Sequence, residues 1–511
     1  MSVLLALILT PAVAGCCVFA WNSRRGRRAI LLLAATAHLS LTGWLWWQRP
    51  VVSPHGWLGV DAVGLLFLTI ASVLFFAAAV YSGGYLRDEQ QSRHVDIEEG
   101  FLFFNEPEAV FVGCLLMFLA AMTLVTLSQH FGLLWVGVEA TTLATAPLIY
   151  FHRHHRSLEA TWKYLLICSV GIALALLGNF LLAVAASNAR TGHAALIVYS
   201  LQQHASQLHG PWLKVAFLFF LVGYGTKMGL APMHTWLPDA HSESPSPVSA
   251  LLSGALLNCA FLGILRLHQL CVAAGHGDFS RPLLILFGLV SVLVAAVFLL
   301  RQADFKRMLA YSSVEHMGIL ALGVGLGGVG VFGSLLHAVN HSLTKAALFL
   351  VAGNILAAYA TKSTRDVRGI RQVLPITGVL WLAGFLAITG SPPFGMFLSE
   401  FTILKAALDQ QHYVVAVLYL ILLGLIFIAM ANLVLPMTQG EALNGGQPQT
   451  QKRGEPLWSI GPSAALLALT LTLGLWIPTW LGNVLDEAAG GFQAVATPIA
   501  TVATALEPLP R

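Results

Sequence analysis

Charge is what this chain has least of. Asp, Glu, Lys and Arg make up 10% of its 511 residues, against roughly 25% in a soluble domain. The formal net charge is only +4. No block of Lys and Arg is interleaved with aromatics, which argues against nucleic acid as a partner. Cysteine is also sparse. Cys16, Cys17, Cys114, Cys168, Cys259 and Cys271 lie mostly inside apolar runs and form no CxxC pair, so neither a disulfide framework nor an iron–sulfur site is indicated. There is no Walker loop, nucleophile elbow or haem-binding pattern, and the chain is read as depending on an outside driver.

What fills the sequence is apolar: 57% of residues are hydrophobic and the mean hydropathy is +0.77. Runs long enough to cross roughly 30 Å of hydrocarbon at about 1.5 Å per residue recur from end to end, so the expected fold is an all-α integral membrane one. Spans are expected near 2–21, 29–47, 57–81, 109–128, 130–150, 163–187, 212–231, 247–271, 282–301, 308–328, 331–358, 374–407, 412–435 and 458–481, about fourteen in all. Val13-Ala14-Gly15-Cys16 looks like a lipoprotein cleavage box. Arg24, Arg25, Arg27 and Arg28 follow the apolar stretch rather than precede it, so the segment reads as a first helix with its N-terminus outside, in the periplasm. The loops then assigned to the cytoplasm hold Arg87, Arg93, Arg153, Arg156, Lys306, Arg307, Lys362, Arg365, Arg368, Arg371, Lys452 and Arg453. The opposite loops hold little beyond Arg49, Arg190 and Arg281. Residues 437–457 read as a Gly/Gln-rich linker.

Two spans are broken. Gly229 to Pro247 (GLAPMHTWLPDAHSESPSP) and Gly390 to Gly395 (GSPPFG) each interrupt an apolar helix. Irregular backbone at membrane depth survives only where protein or a water-filled cavity satisfies it, and paired breaks in two halves point to inverted repeats with a path at their interface. Lys163 and Lys345 echo one another, each expected to open a helix upstream of a break.

Few ionisable residues lie inside the spans, and each asks for a reason. Glu139 sits mid-helix, where a carboxylate costs about 2.5–3.5 kcal/mol on insertion scales, so it should face the bundle interior. Lys227, just before the first break, is its expected partner. The pair reads either as a switchable proton site or as a static ion pair fixing helix register. His234, Asp239 and His241 lie in the first break. His337, His341 and Lys345 follow at spacing four, on one helix face. An imidazole titrating near about 6.5 suits proton relay, whereas no HExxH pattern or nearby Cys supports a metal at His337 and His341. Glu400 and Lys405 are expected to end the axis. Glu315 and His316 serve either the axis or the Asp304, Lys306 and Arg307 helix-connection cluster. Gly323, Gly325 and Gly328 match GxGxxG by spacing but have no preceding strand. His152, His154 and His155 read as a headgroup-level cluster rather than a metal site.

Several of these stretches together are recognisable. Trp135 to Glu139 (WVGVE), Lys227 with Leu230 to His241 (LAPMHTWLPDAH), Asp304 to Gly318 (DFKRMLAYSSVEHMG) and His337 to Phe349 resemble the antiporter-like, proton-conducting subunits of respiratory complex I and of group-four nickel–iron hydrogenase complexes, a superfamily shared with multi-subunit cation antiporters. The likeness runs from about 110 to 410. Pro245 to Ser253 (PSPVSALLS) is most similar to hydrogenase-four or formate-hydrogenlyase-like membrane subunits.

The resemblance implies about fourteen helices with two inverted five-helix repeats, each with a broken helix. Its divisions are 1–108 (three helices and a loop), 109–271 (first repeat), 282–435 (second repeat) and 436–511 (loop, last helix and tail). It implies a Glu139/Lys227 pair and a hydrated axis through His241, His341 and Lys345, no cofactor in this chain, and iron–sulfur with nickel–iron or flavin centres in partner subunits. The partners implied are other membrane subunits and a peripheral redox arm, and the place a bacterial inner membrane. Residues 248–265 depart from the pattern: they lack the lysine many ion-transporting members carry, and Asn258 lies there instead. Lys163 and Asn258 are candidate bridges, together with Glu315 and His316. The chain also ends soon after 481, without the long lateral helix of the largest subunit type. The function implied is proton translocation coupled to electron transfer in a peripheral arm. The alternatives are a Na+/H+ antiporter component, or a non-conducting membrane anchor for a peripheral enzyme such as an inorganic-carbon uptake factor.

Overall fold

The computed structural model describes residues 2–53, 55–89, 103–187, 196–440 and 454–492. Arg93, Arg190, Lys452, Arg453 and most of the 437–457 linker lie outside them. In chain order the helices are α1 (Ser2–Ala20), α2 (Arg24–Trp47), α3 (Ala62–Glu89), α4 (Glu108–Leu127), α5 (Phe131–Ile149), α6 (His155–Ala186), α7 (Val198–Gln203), α8 (Gly210–Met228), α9 (Trp236–Glu243) and α10 (Ser246–Leu251). They continue with α11 (Leu257–Ala273), α12 (Gly277–Leu299), α13 (Phe305–Leu326), α14 (Val329–Tyr359), α15 (Ile370–Val373), α16 (Pro375–Ile388), α17 (Gly395–Asp409), α18 (Tyr413–Gln439), α19 (Leu457–Leu475) and α20 (Thr479–Gly490). Among the described residues there is no β-sheet, only isolated bridges.

Among the described residues twelve helical segments are long and apolar enough to cross a bilayer, with α10 and α11 joined into one by a π-helical turn, Leu252–Leu256. The chain is therefore an all-α, multi-pass integral membrane protein. The joined α10–α11 segment and α13 are wholly enclosed and α14 nearly so, whereas α1, α2, α12, α18 and α19 turn most of their surface outward. Apolar side chains facing outward are what a lipid solvent permits, so enclosure marks the centre of the bundle. Helices approach closely where glycines allow it: a Cβ on Gly288 of α12 would lie 2.7 Å from the Gly318 carbonyl of α13.

Both breaks fall where Gly and Pro interrupt the sequence. α8 stops at Gly229, whose φ of 84° is one that side chains disfavour, and the chain turns through residues 229–235 before α9. The segment 374–407, expected as one broken span, is two helices of 14 and 15 residues, α16 and α17, because Pro392 and Pro393 withhold the donors that would continue the ladder.

Three expectations need correcting. Neither Lys163 nor Lys345 opens a helix: α6 begins about two turns before Lys163, at His155, and Lys345 lies midway along α14, since Gly327 and Gly328 place the helix start much earlier. The third span begins at Ala62 rather than near 57 and runs on to Glu89. Beyond the last span Pro478 starts a further amphipathic helix, α20, against α3 and α14. Trp480 packs edge-on against Trp46, and Arg49 bonds Glu487 at 2.7 Å.

Candidate functional site

A row of polar side chains, most of them buried, runs from α5 to α17 through the enclosed helices. At one end Glu139 projects from α5 and accepts from Thr142 Oγ at 3.3 Å and from Ser169 Oγ at 3.4 Å. Lys227, fully buried in the last turn of α8, donates to Thr142 Oγ at 2.7 Å and to Tyr164 Oη at 2.6 Å. Its ammonium also lies 4.6 Å from the centre of the Tyr164 ring. Glu139 and Lys227 are thus not the directly touching pair expected: Thr142 stands between them, one turn along α5 from Glu139. A hydroxyl has one proton to give and lone pairs to accept, so Thr142 gives to Glu139 while taking from Lys227. Thr145 donates to the Thr141 carbonyl at 2.7 Å, which leaves its oxygen to accept from Tyr164. The last turn of α8, rich in unpaired carbonyls, favours a cation there.

Asn258 ties α11 to α14. The π turn frees the Gly254 carbonyl, which accepts from Asn258 Nδ2 at 2.9 Å, and Asn258 Nδ2 also donates to Ser342 Oγ of α14 at 2.8 Å. Ser342 is one turn before Lys345. Lys345, fully buried, donates to the Leu309 carbonyl at 2.6 Å and to Ser312 Oγ at 2.5 Å of α13. It interacts electrostatically with Glu315, His241, His316 and His341. His241, stacked on Phe349 at 5.4 Å, and His341 are enclosed with neither ring nitrogen bonded to protein.

At the far end His316 Nδ1 meets His337 Nε2 at 3.1 Å, and His337 Nδ1 meets Ser399 Oγ at 3.0 Å. Glu400, 7% exposed, has no partner for Oε1, and its Oε2 lies against Gly390 in the second break. Within the row His241, Asn258, Asn340, His341 and Glu400 each keep a buried polar atom with no partner in the protein. Buried polar atoms are satisfied in nearly all proteins, so a run of them along one axis is a place for water.

Three residues expected on the row stand elsewhere. Lys405 is exposed and pairs with Asp409 at 2.5 Å. Lys163 lies at a partly exposed end of the bundle, bonded to Glu159 at 2.7 Å and Asp239 at 2.9 Å, and it is its neighbour Tyr164 that points inward. His234 is buried against Phe298 and Tyr311, beside the row rather than in it. Asp239 instead helps close one end of the site, where it also bonds Arg307 at 2.8 Å. There the buried Lys306 ammonium donates to the Ser242 and Ser244 carbonyls at 3.0 and 2.6 Å, and Lys362 pairs with Glu243 at 2.8 Å. Asp304 caps α13 and accepts from Ser242 Oγ at 2.7 Å, as suits a helix-connection cluster.

Sequence reading missed Thr142, Tyr164, Ser169, Ser342 and Ser399. The paired Thr141 and Thr142 in an apolar helix, one turn past Glu139, were the available signal. It also missed the buried Arg266, whose guanidinium grips Asp61 with both oxygens, the second bond at 2.6 Å.

Known proteins resemble the chain in sequence and in fold. The chain is 37% identical to the "Hydrogenase-4 component F homolog" of Methylacidiphilum infernorum over 86% of its own length and 90% of the relative's. It superimposes with a TM-score of 0.83 on a chain of the membrane-bound sulfane sulfur reductase, an archaeal respiratory membrane complex, at 21% identity and with 97% and 98% of the two chains covered. A chain of respiratory complex I from Thermus thermophilus gives 0.73 at 25% identity, over 95% and 99%. The profile of the family described as "NADH:quinone oxidoreductase/Mrp antiporter, TM" matches residues 128–426, and the chain belongs to that family.

Proposed function

We propose that this chain is the proton-translocating membrane subunit of a multi-subunit, redox-driven complex, of the complex I-like or membrane-bound hydrogenase-like kind. The observation that carries this reading is the row that runs from Glu139, half-buried rather than enclosed as expected, through the buried Thr142, Lys227, Asn258, Ser342, Lys345, His341, His316, His337 and Glu400, and spans both broken-helix regions. Ionisable groups inside a bilayer are expensive, and a connected series of them marks an ion path.

In this reading Glu139 and Lys227 form one switch and Lys345 with Glu315 a second. The field of Glu139 holds the Lys227 ammonium through Thr142. A proton arriving on Glu139 weakens that hold, and the Lys227 proton passes by way of Asn258 and Ser342 toward Lys345. From Lys345 the histidines carry it to Glu400. The chain holds about fourteen crossings in two inverted repeats, with α8 and the α16–α17 pair as the two beyond the twelve full-length spans. It lies in a bacterial inner membrane with its N-terminus outside. The driving electron transfer takes place in a peripheral arm carrying iron–sulfur with nickel–iron or flavin centres, joined to this chain through other membrane subunits.

The test is Glu139→Gln in the intact complex, reconstituted into vesicles with electron transfer running. Loss of acidification at unchanged subunit composition supports the reading. Unchanged acidification in an assembled complex would make the chain an anchor, and loss of assembly would make Glu139 a structural group.

A further inference from the structure

We propose that His316, His337 and Glu400 form a zinc-binding site, at which the metal plugs the second half of the row. One ligand atom from each of the three lies within 4.8 Å of the other two, and all three residues are buried, on α13, α14 and α17. The 3.1 Å between His316 Nδ1 and His337 Nε2 is close to the roughly 3.3 Å that separates two nitrogens each about 2.0–2.1 Å from a tetrahedral zinc ion.

The surrounding bonds prepare these atoms as ligands. Ser399 Oγ gives its proton to the Met396 carbonyl at 2.8 Å, so toward His337 Nδ1, at 3.0 Å, it acts as acceptor. The His337 ring proton is therefore on Nδ1, and the Nε2 lone pair faces His316. An outer hydrogen bond of this kind orients a metal-ligating histidine and fixes its tautomer. His316 Nε2 is buried and takes the ring proton when Nδ1 binds metal. Glu400 Oε1, unpartnered and buried, supplies the oxygen and releases any proton it carries as the cation enters.

Two imidazole nitrogens, one carboxylate oxygen and an open fourth position suit zinc better than magnesium or calcium, which prefer oxygen ligands throughout. His341, the partner that helical spacing offered to His337, is not in the set. It lies one turn along α14, and His316 reaches His337 from the facing helix.

Occupation would interrupt the hydrogen bond between His316 and His337, so zinc should slow translocation. That consequence rests on the proposed function, whereas the binding itself does not. The test therefore reads metal. Full-length protein in detergent is stripped with EDTA, incubated with zinc chloride and desalted, and bound zinc is counted by mass spectrometry alongside X-ray absorption at the zinc edge. A single zinc with two imidazoles in its coordination shell is expected. Glu400→Gln and His337→Gln should each weaken binding by at least about tenfold, and Ser399→Ala by about tenfold although it is not a ligand. His155→Gln with His412→Gln, both exposed, should change nothing. No retained zinc, a shell without two histidines, or zinc lost with the surface pair but kept in Glu400→Gln would overturn the site. The absorption spectrum of the unaltered protein decides the matter even where a variant fails to fold.

Discussion

Asn258 and Ser342, 84 residues apart in sequence, are joined by a hydrogen bond of 2.8 Å from Asn258 Nδ2 to Ser342 Oγ. The bond links α11 to α14 at the place where the resemblance calls for a lysine. Ser342 in turn donates to the Ala338 carbonyl at 2.6 Å, so its hydroxyl proton is committed and its oxygen is what Asn258 finds. α11 and α14 are thus connected beside Lys345 by a neutral amide that needs no counter-charge.

If that amide carries the connection, Asn258→Leu should slow coupled proton transport by about two- to tenfold, the kinetic equivalent of about 0.5–1.5 kcal/mol for one neutral hydrogen bond. Asn258→Lys should retain transport. Dye-reported acidification of vesicles containing the complex measures both, with electron transfer rate recorded in parallel.

Thr142 makes a sharper case because its partners are ionisable. Thr142→Val keeps the volume and removes the hydroxyl between Lys227 and Glu139. A hydrogen bond to a charged group is worth about 1.5–3 kcal/mol, so transport should fall by about ten- to a hundredfold, and Thr142→Ser should restore most of it. Equal transport in the Val and Ser variants would remove Thr142 from the pathway.

How much of this was legible beforehand depends on how far apart the partners lie. Glu139, Lys227 and the His337, His341 and Lys345 stripe stood out because ionisable residues inside apolar runs are few and their helical spacing is readable. Both breaks were visible from Gly and Pro. Directions around a helix were harder. Glu400 and Lys405 are five residues apart, about 140° around a helix at 3.6 residues per turn; one faces inward and the other out. Lys163 and Tyr164 differ by about 100°, and the inward one is the tyrosine. Contacts between distant segments gave no local signal: Arg266 and Asp61 are 205 residues apart, and the meeting of His316 with His337 depends on how α13 packs on α14.

The Arg266–Asp61 pair is therefore a test of structure rather than of transport. Arg266 is buried while the Asp61 side chain is 31% exposed, so removing the carboxylate should cost less than the roughly 3–5 kcal/mol of a fully buried pair, and removing both in favour of apolar groups less again. Asp61→Asn should lower the unfolding temperature of the purified protein by several degrees, and Asp61→Leu with Arg266→Met should recover much of the loss. Thermal unfolding in detergent followed by tryptophan fluorescence reads both, and transport per folded complex should not change.

Gly390 tests the far end of the row without replacing an ionisable group. Its φ is 63°, a left-handed value at which a side chain is strained, and a Cβ there would lie 2.0 Å from Glu400 Oε2. Gly390→Ala must therefore move the Glu400 carboxylate or the turn that holds it. The expected result is a loss of proton transport approaching that of Glu400→Gln, in a complex that still assembles, since the turn lies at the partly exposed second break rather than in the enclosed core. Lys405→Ala, on the outward face of the same helix as Glu400, is the matching control. Its exposed pair with Asp409 contributes at most about 0.5 kcal/mol, so stability and transport should both stay unchanged. If Lys405→Ala impairs transport while Gly390→Ala does not, the row ends on the outer face of α17, and Glu400 is not its terminus.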